Sequence, residues 1–125
     1  MNFSQIKELI DEHIGLITVD AKAIAGARDR AAKFLVIQSV LATYMKDLDV
    51  EKAKFSSVVD MQYSQALRTT DGKTITEKKV HVAENAEYVK YKDSLAELDA
   101  QRDWVKTHIK IFDNAHLTFR QYSRD

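Results

Sequence analysis

Between Tyr88 and Phe119, one set of side chains recurs at alternating steps of three and four: Tyr88, Tyr91, Leu95, Leu98, Arg102, Val105, Ile109, Phe112, His116 and Phe119. Eight of these ten positions are apolar or aromatic. This is the seam of a long helix lying against another helix, and the period of two that a strand requires is absent.

The earlier chain repeats the helical pattern. Phe3, Ile6, Leu9, Ile10 and Ile14 share one face of a first helix over about Phe3–Ile14. Asn2 is placed to cap it, with Gln5 three residues on, and Gly15 to end it. Leu16–Val19 reads as a short connector, and Asp20 as the cap of a second helix. No strong breaker follows until Asp71-Gly72, so this helix is expected to reach Thr69. At 1.5 Å per residue it would extend about 73 Å. Its seam reads Ile24, Ala27, Ala31, Phe34, Leu41, Met45, Leu48, Phe55 and Val59, interrupted by Gln38 and Lys52. An unbroken helix is preferred. The alternative is a break within Asp47–Glu51, where aspartate competes for backbone hydrogen bonds. Around Phe34–Ile37 and Val40–Ala42 the helix is apolar on nearly every side, which predicts enclosure by helix 1, by helix 3 or by another subunit.

Thr70–Thr74, around Asp71-Gly72, reads as a turn in which Gly72 supplies a positive φ. Thr74 with Glu77 forms a capping box for a third helix continuing to about Tyr122, and Thr76 is a rival cap. Two long helices of similar length with a short joint fold back on each other. The expected fold is therefore all-α: a short N-terminal helix plus two long helices in an antiparallel, coiled-coil-like hairpin, as a single domain over residues 1–125. Two helices cover only one side of each seam. Trp104, Tyr88, Tyr91, Phe112, Phe119 and Tyr122 offer surplus surface, so a homo-oligomer is expected. A compact four-helix monomer broken near Asp47 is the competing solution.

Composition agrees with long helices. Proline is absent and only three glycines occur in 125 residues, 45% of which are hydrophobic and 30% charged. Proline costs a helix interior about 3 kcal/mol and glycine about 1 kcal/mol. With no cysteine there is no disulfide framework and no thiolate ligand or nucleophile. Neither a signal-peptide pattern nor an apolar run long enough for a bilayer is found, so a cytoplasmic protein is expected.

Candidate chemistry is sparse. His13, His81, His108 and His116 have no metal-ligand spacing, and His116 and Arg102 read as seam residues that set register or bond across the interface. Asp99 and Asp103 read as a solvated charged face. There is no glycine-rich phosphate loop and no serine–histidine pattern, so neither an enzyme nor a cofactor is expected.

Basic groups remain. The net charge is zero, yet residues 21–69 carry eight Lys/Arg against five Asp/Glu. Lys22, Arg28, Arg30 and Lys33 cluster near the start of the second helix, and Lys52 and Lys54 lie midway. Arg68, Lys73, Lys78 and Lys79 surround the turn, while Lys90 and Lys92 alternate with Tyr88 and Tyr91. Cations beside aromatics suit single-stranded nucleic acid. The other reading is an ordinary charged surface with the tyrosines in the seam. A closed ring of copies would repeat a small local patch and concentrate its potential.

Three stretches carry a resemblance to a known family. Asp20-Ala21-Lys22 with Ala31-Ala32-Lys33-Phe34-Leu35 is similar to its long-helix opening. Val50-Glu51-Lys52-Ala53-Lys54 leading to Tyr63 is similar to its lysine-rich mid-helix. Glu77-Lys78-Lys79-Val80, Ala83-Glu84-Asn85 and Asp93-Ser94-Leu95 are similar to its second long helix. The arrangement, over about 100 residues, resembles the UvsY family of phage recombination mediators. That resemblance implies a homo-oligomer on single-stranded DNA, loading a recombinase in place of a single-strand-binding protein, in the host cytoplasm if phage-encoded. It implies phosphate contacts from Lys52 and Lys54, with Arg68, Lys78 and Lys79 as a second group. The family's contact stretch pairs a lysine with an arginine, whereas this chain has two lysines, which act as point charges rather than bidentate forks. The alternative is a helical phage inhibitor or assembly scaffold that grips a protein through the seam and Trp104 and ignores nucleic acid.

Overall fold

The computed structural model describes residues 1–69 and 74–124. Among these residues every regular element is helical: α1 (Phe3–Ile14), a 3₁₀ turn (Gly15–Ile17), α2 (Ala21–Ala25), α3 (Ala27–Thr69), α4 (Ile75–Ala83) and α5 (Ala86–Arg124). The chain forms two compact units, residues 1–47 with 101–125 and residues 48–100. Helices α3 and α5 contribute to both, so each unit is a helical bundle in its own right.

In the first unit, α1 starts on a complete capping box. The Asn2 carboxamide oxygen accepts from the Gln5 N–H at 2.9 Å, and the Gln5 side-chain oxygen accepts from the Asn2 N–H at 2.8 Å. Two of the orphan donors of the first turn are thereby satisfied. Ile6 and Ile10 are buried from this helix, and the Phe3 ring meets Trp104 of α5 edge-on at 5.3 Å. Asp20 caps α2, its carboxylate accepting from the Ala23 N–H at 2.7 Å. Along α3, Ala27, Ala31, Phe34, Ile37, Leu41 and Tyr44 are buried, as are Val105, Phe112, Ala115 and Phe119 along α5. Phe34 sits between Phe112 and Phe119, with ring centroids 5.9 and 5.4 Å away. The His116 Nδ1–H donates to the Ala31 carbonyl at 2.8 Å, the cross-interface bond expected of a polar seam residue. These pairings ascend α3 while descending α5, so the two helices run antiparallel.

The second unit is more thinly buried. Only Leu48, Ala66 and Val82 are fully enclosed among its described residues. Phe55, Val59, Tyr63, Tyr88, Tyr91, Leu95 and Leu98 are half-buried. Lys52 pairs with Asp99, and Tyr63 packs on Tyr88 at 5.6 Å, again antiparallel. Thr74 caps α4 by accepting from the Glu77 N–H at 3.1 Å, which settles the choice against Thr76. Of the turn expected over Thr70–Thr74, residues 70–73 lie outside the described residues.

Several expectations need correction. The second helix does not run from Asp20 to Thr69. It breaks at Gly26, the residue with the weakest helix propensity in that stretch, and α3 begins at Ala27. Ile24 therefore belongs to α2, where Ala23 is the buried residue, and is itself 48% exposed. The α3 seam passes through Ile37 and Tyr44, keeping alternate steps of three and four from Phe34 to Leu48; Met45 lies at its edge. Asp47–Glu51 stays helical, as preferred. The third helix is broken at Glu84-Asn85, because the Asn85 side chain accepts from the Tyr88 N–H at 3.0 Å and caps α5. Within the single chain, the enclosure expected from neighbouring helices reaches Phe34, Ile37 and Leu41, which are buried, while Leu35 and Val36 are 49% and 63% exposed.

Candidate functional site

All five candidate nucleic-acid residues lie in the second unit, on α3 or α4. A continuous α3 separates Lys52 from Lys54 by about 200° of rotation, so the two lysines cannot form one patch. Lys52 points to α5 and its Nζ lies 2.6 Å from an Asp99 carboxylate oxygen. The two side chains are 41% and 46% exposed, so the pair is a solvent-screened surface bridge worth at most about 1 kcal/mol. A phosphate at Lys52 would have to compete with Asp99. Asp99, read from the sequence as a solvated acid, is the partner that pattern alone does not reveal.

Lys54 and Arg68 are exposed. They lie within about 40° of each other around α3, some 21 Å apart along it. Arg68 also occupies the last turn, where a cation complements the helix dipole. On α4, Lys79 is exposed and Lys78 half-buried. The aromatic element is the Tyr63–Tyr88 pair, with Lys92 Nζ over the Tyr88 ring at 5.8 Å from its centroid. Lys92 thus joins ring and cation in one place. Its alternation with the tyrosines was the signal in the sequence. Residues 48–100 hold eight Lys/Arg against ten Asp/Glu, so any anion attraction here is local to these side chains. A cleft of about 220 Å³ lined by Gln62, Gln65, Ala66, Thr69, Asn85 and Glu87 is polar and carries no cation among the described residues.

The first unit holds a different feature. Leu9 and His13 of α1 and Ala32, Lys33, Val36, Ile37 and Val40 of α3 line an open apolar groove of about 280 Å³. A second groove of about 320 Å³, lined by Met1, Ser39, Val40, Thr43, Tyr44 and Asp47, adjoins it at Val40. Of the basic cluster at the start of α3, Arg30 is committed to the fold, donating to the Leu16 carbonyl at 2.7 Å and lying over Phe119 at 5.9 Å.

Three of the four histidines, His13, His108 and His116, are tied to backbone, while His81 is exposed. The Nδ1–H groups of His13 and His108 donate to Leu9 and Trp104 of their own helices at 2.7 and 2.8 Å. Because a carbonyl only accepts, Nδ1 carries the proton in each. Among the described residues no three His, Cys, Asp or Glu side chains are grouped to hold a metal, and no helix is long and apolar enough to cross a membrane. Compared with known proteins, the chain matches no protein-family model, no curated protein and no solved structure.

Proposed function

We propose that this chain is a non-enzymatic helical protein that self-assembles and binds single-stranded DNA, acting as a recombination mediator that helps load a recombinase. The observation that carries the reading is the Tyr63–Tyr88 ring pair with Lys92 over Tyr88, in the unit that also exposes Lys54, Arg68 and Lys79. Unstacked bases need a ring face and phosphates need cations, and single-strand binding combines the two. The mediator role itself rests on the resemblance of the three sequence stretches to the UvsY family.

Fluorescence anisotropy with a labelled oligothymidine tests it. Binding at low ionic strength is expected to weaken steeply with salt, at a log–log slope of about −0.7 per phosphate contact. Combining Lys54→Ala, Arg68→Ala and Lys79→Ala is expected to make that slope shallower by about 2 units. A flat titration of the unaltered chain at low salt overturns the DNA reading.

A second reading is favoured by the grooves of the first unit: a protein-interaction module, an inhibitor or assembly scaffold, that takes an apolar partner segment and ignores nucleic acid. Capture of that partner with nucleic acid removed, unaffected by Lys52→Ala plus Lys54→Ala, would support it over the first.

A further inference from the structure

We propose that an open stripe of α3, Lys33, Val36, Val40, Thr43 and Asp47, pairs antiparallel with the same stripe of a second copy of this chain. This rests on the self-assembly part of the reading above and identifies its surface.

The stripe steps by three, four, three and four residues, so α3 carries a second heptad seam beside its buried one. Val36 lies about 100° round the helix from the buried Ile37. It is 63% exposed, Val40 is half-buried, and both grooves of the first unit meet at Val40. Thr43 suits a buried position because its hydroxyl already donates to the Ser39 carbonyl at 3.0 Å and leaves no unpaired donor. Against a neighbouring helix the stripe offers two valines and a threonine methyl.

Charge selects the occupant and its direction. Lys33 stands at one end of the apolar segment and Asp47 at the other, and neither forms an ion pair among the described residues. Fourteen residues apart, they are separated by about 21 Å and cannot pair within one helix. Laid antiparallel on itself, the stripe brings Lys33 of each copy near Asp47 of the other, twice. Laid parallel, it sets lysine against lysine and aspartate against aspartate. A two-fold contact is self-complementary by definition, and this stripe is complementary to its own reverse.

Sedimentation equilibrium over a dilution series tests the proposal. Lys33→Asp and Asp47→Lys, each turning two attractions into two repulsions, are expected to raise the dissociation constant about tenfold or more. The double variant restores both pairs and is expected within about threefold of the unaltered chain. Val36→Lys removes the apolar centre and is expected to abolish the contact. Ala42→Asp, exposed and at least about 100° round the helix from every stripe position, is expected to change nothing. All of these positions except half-buried Val40 are exposed, and circular dichroism checks that helix content is kept. If the chain associates but Lys33→Asp and Val36→Lys leave association unchanged, this surface is wrong while self-assembly stands. If the double variant stays dissociated, the antiparallel register is wrong. If the unaltered chain remains a single copy at high micromolar concentration, the surface and the self-assembly reading both fall.

Discussion

Phe34→Ala is expected to lower the free energy of unfolding by about 3–5 kcal/mol. Phe34 is fully buried and its ring contacts both Phe112 and Phe119, so one truncation removes packing from three aromatic side chains. The rings are held by α3 and α5, two long helices that cannot collapse locally onto the void without shifting whole turns. The cost is therefore the transfer term plus a cavity term rather than the transfer term alone. Against a total stability of about 5–15 kcal/mol for a domain, this is a large fraction. Urea denaturation followed by far-ultraviolet circular dichroism measures it. A loss below about 1 kcal/mol would mean that the α3–α5 seam of the first unit is not packed as described.

Replacing Ile6 and Ile10 together by alanine is expected to release α1 from its bundle. Both side chains are buried, and each truncation costs about 2–5 kcal/mol. A helix of 12 residues has little stability of its own, and its capping box cannot compensate for a lost apolar face. Hydrogen exchange over Phe3–Ile14 is expected to approach that of an unprotected peptide, while amides of α3 and α5 around Phe34 and Phe112 stay protected. Trp104 gives an independent readout, because the Phe3 ring that shields it departs with α1 and its emission should shift to the red. Retained protection over α1 would contradict the assignment of Ile6 and Ile10 as its anchor.

What the sequence made legible was local or periodic. The Asn2–Gln5 box and the Asp20 cap involve residues three apart, so each could be read without knowing the fold. The α5 seam was legible because ten positions kept one spacing, and all ten are buried or half-buried. The breaks at Gly26 and Asn85 were not foreseen. At Asn85 the seam has not yet begun and asparagine's capping preference is the only local mark, whereas at Gly26 the spacing Ile24, Ala27, Ala31 continues across the break and hid glycine's weak helix preference. Ile24 fell out of the seam for the same reason. In the candidate site, the residue types and their placement on α3 and α4 were legible, but the Lys52–Asp99 pair was not. Its partners are 47 residues apart and meet only because α3 and α5 run antiparallel. The 200° divergence of Lys52 and Lys54 did follow from the sequence once α3 was taken as continuous, and it argues for Lys54 with Arg68, rather than Lys52 with Lys54, as cations sharing a face.

Sedimentation velocity of a fluorescently labelled oligothymidine with the unaltered chain tests the central claim most directly, because one boundary reports both assembly and DNA binding. At low salt the label is expected to move with a species heavier than one 14.3 kDa copy, and to be released as salt is raised. Label that sediments as free oligonucleotide at low salt, beside a protein boundary of single copies, would contradict the account.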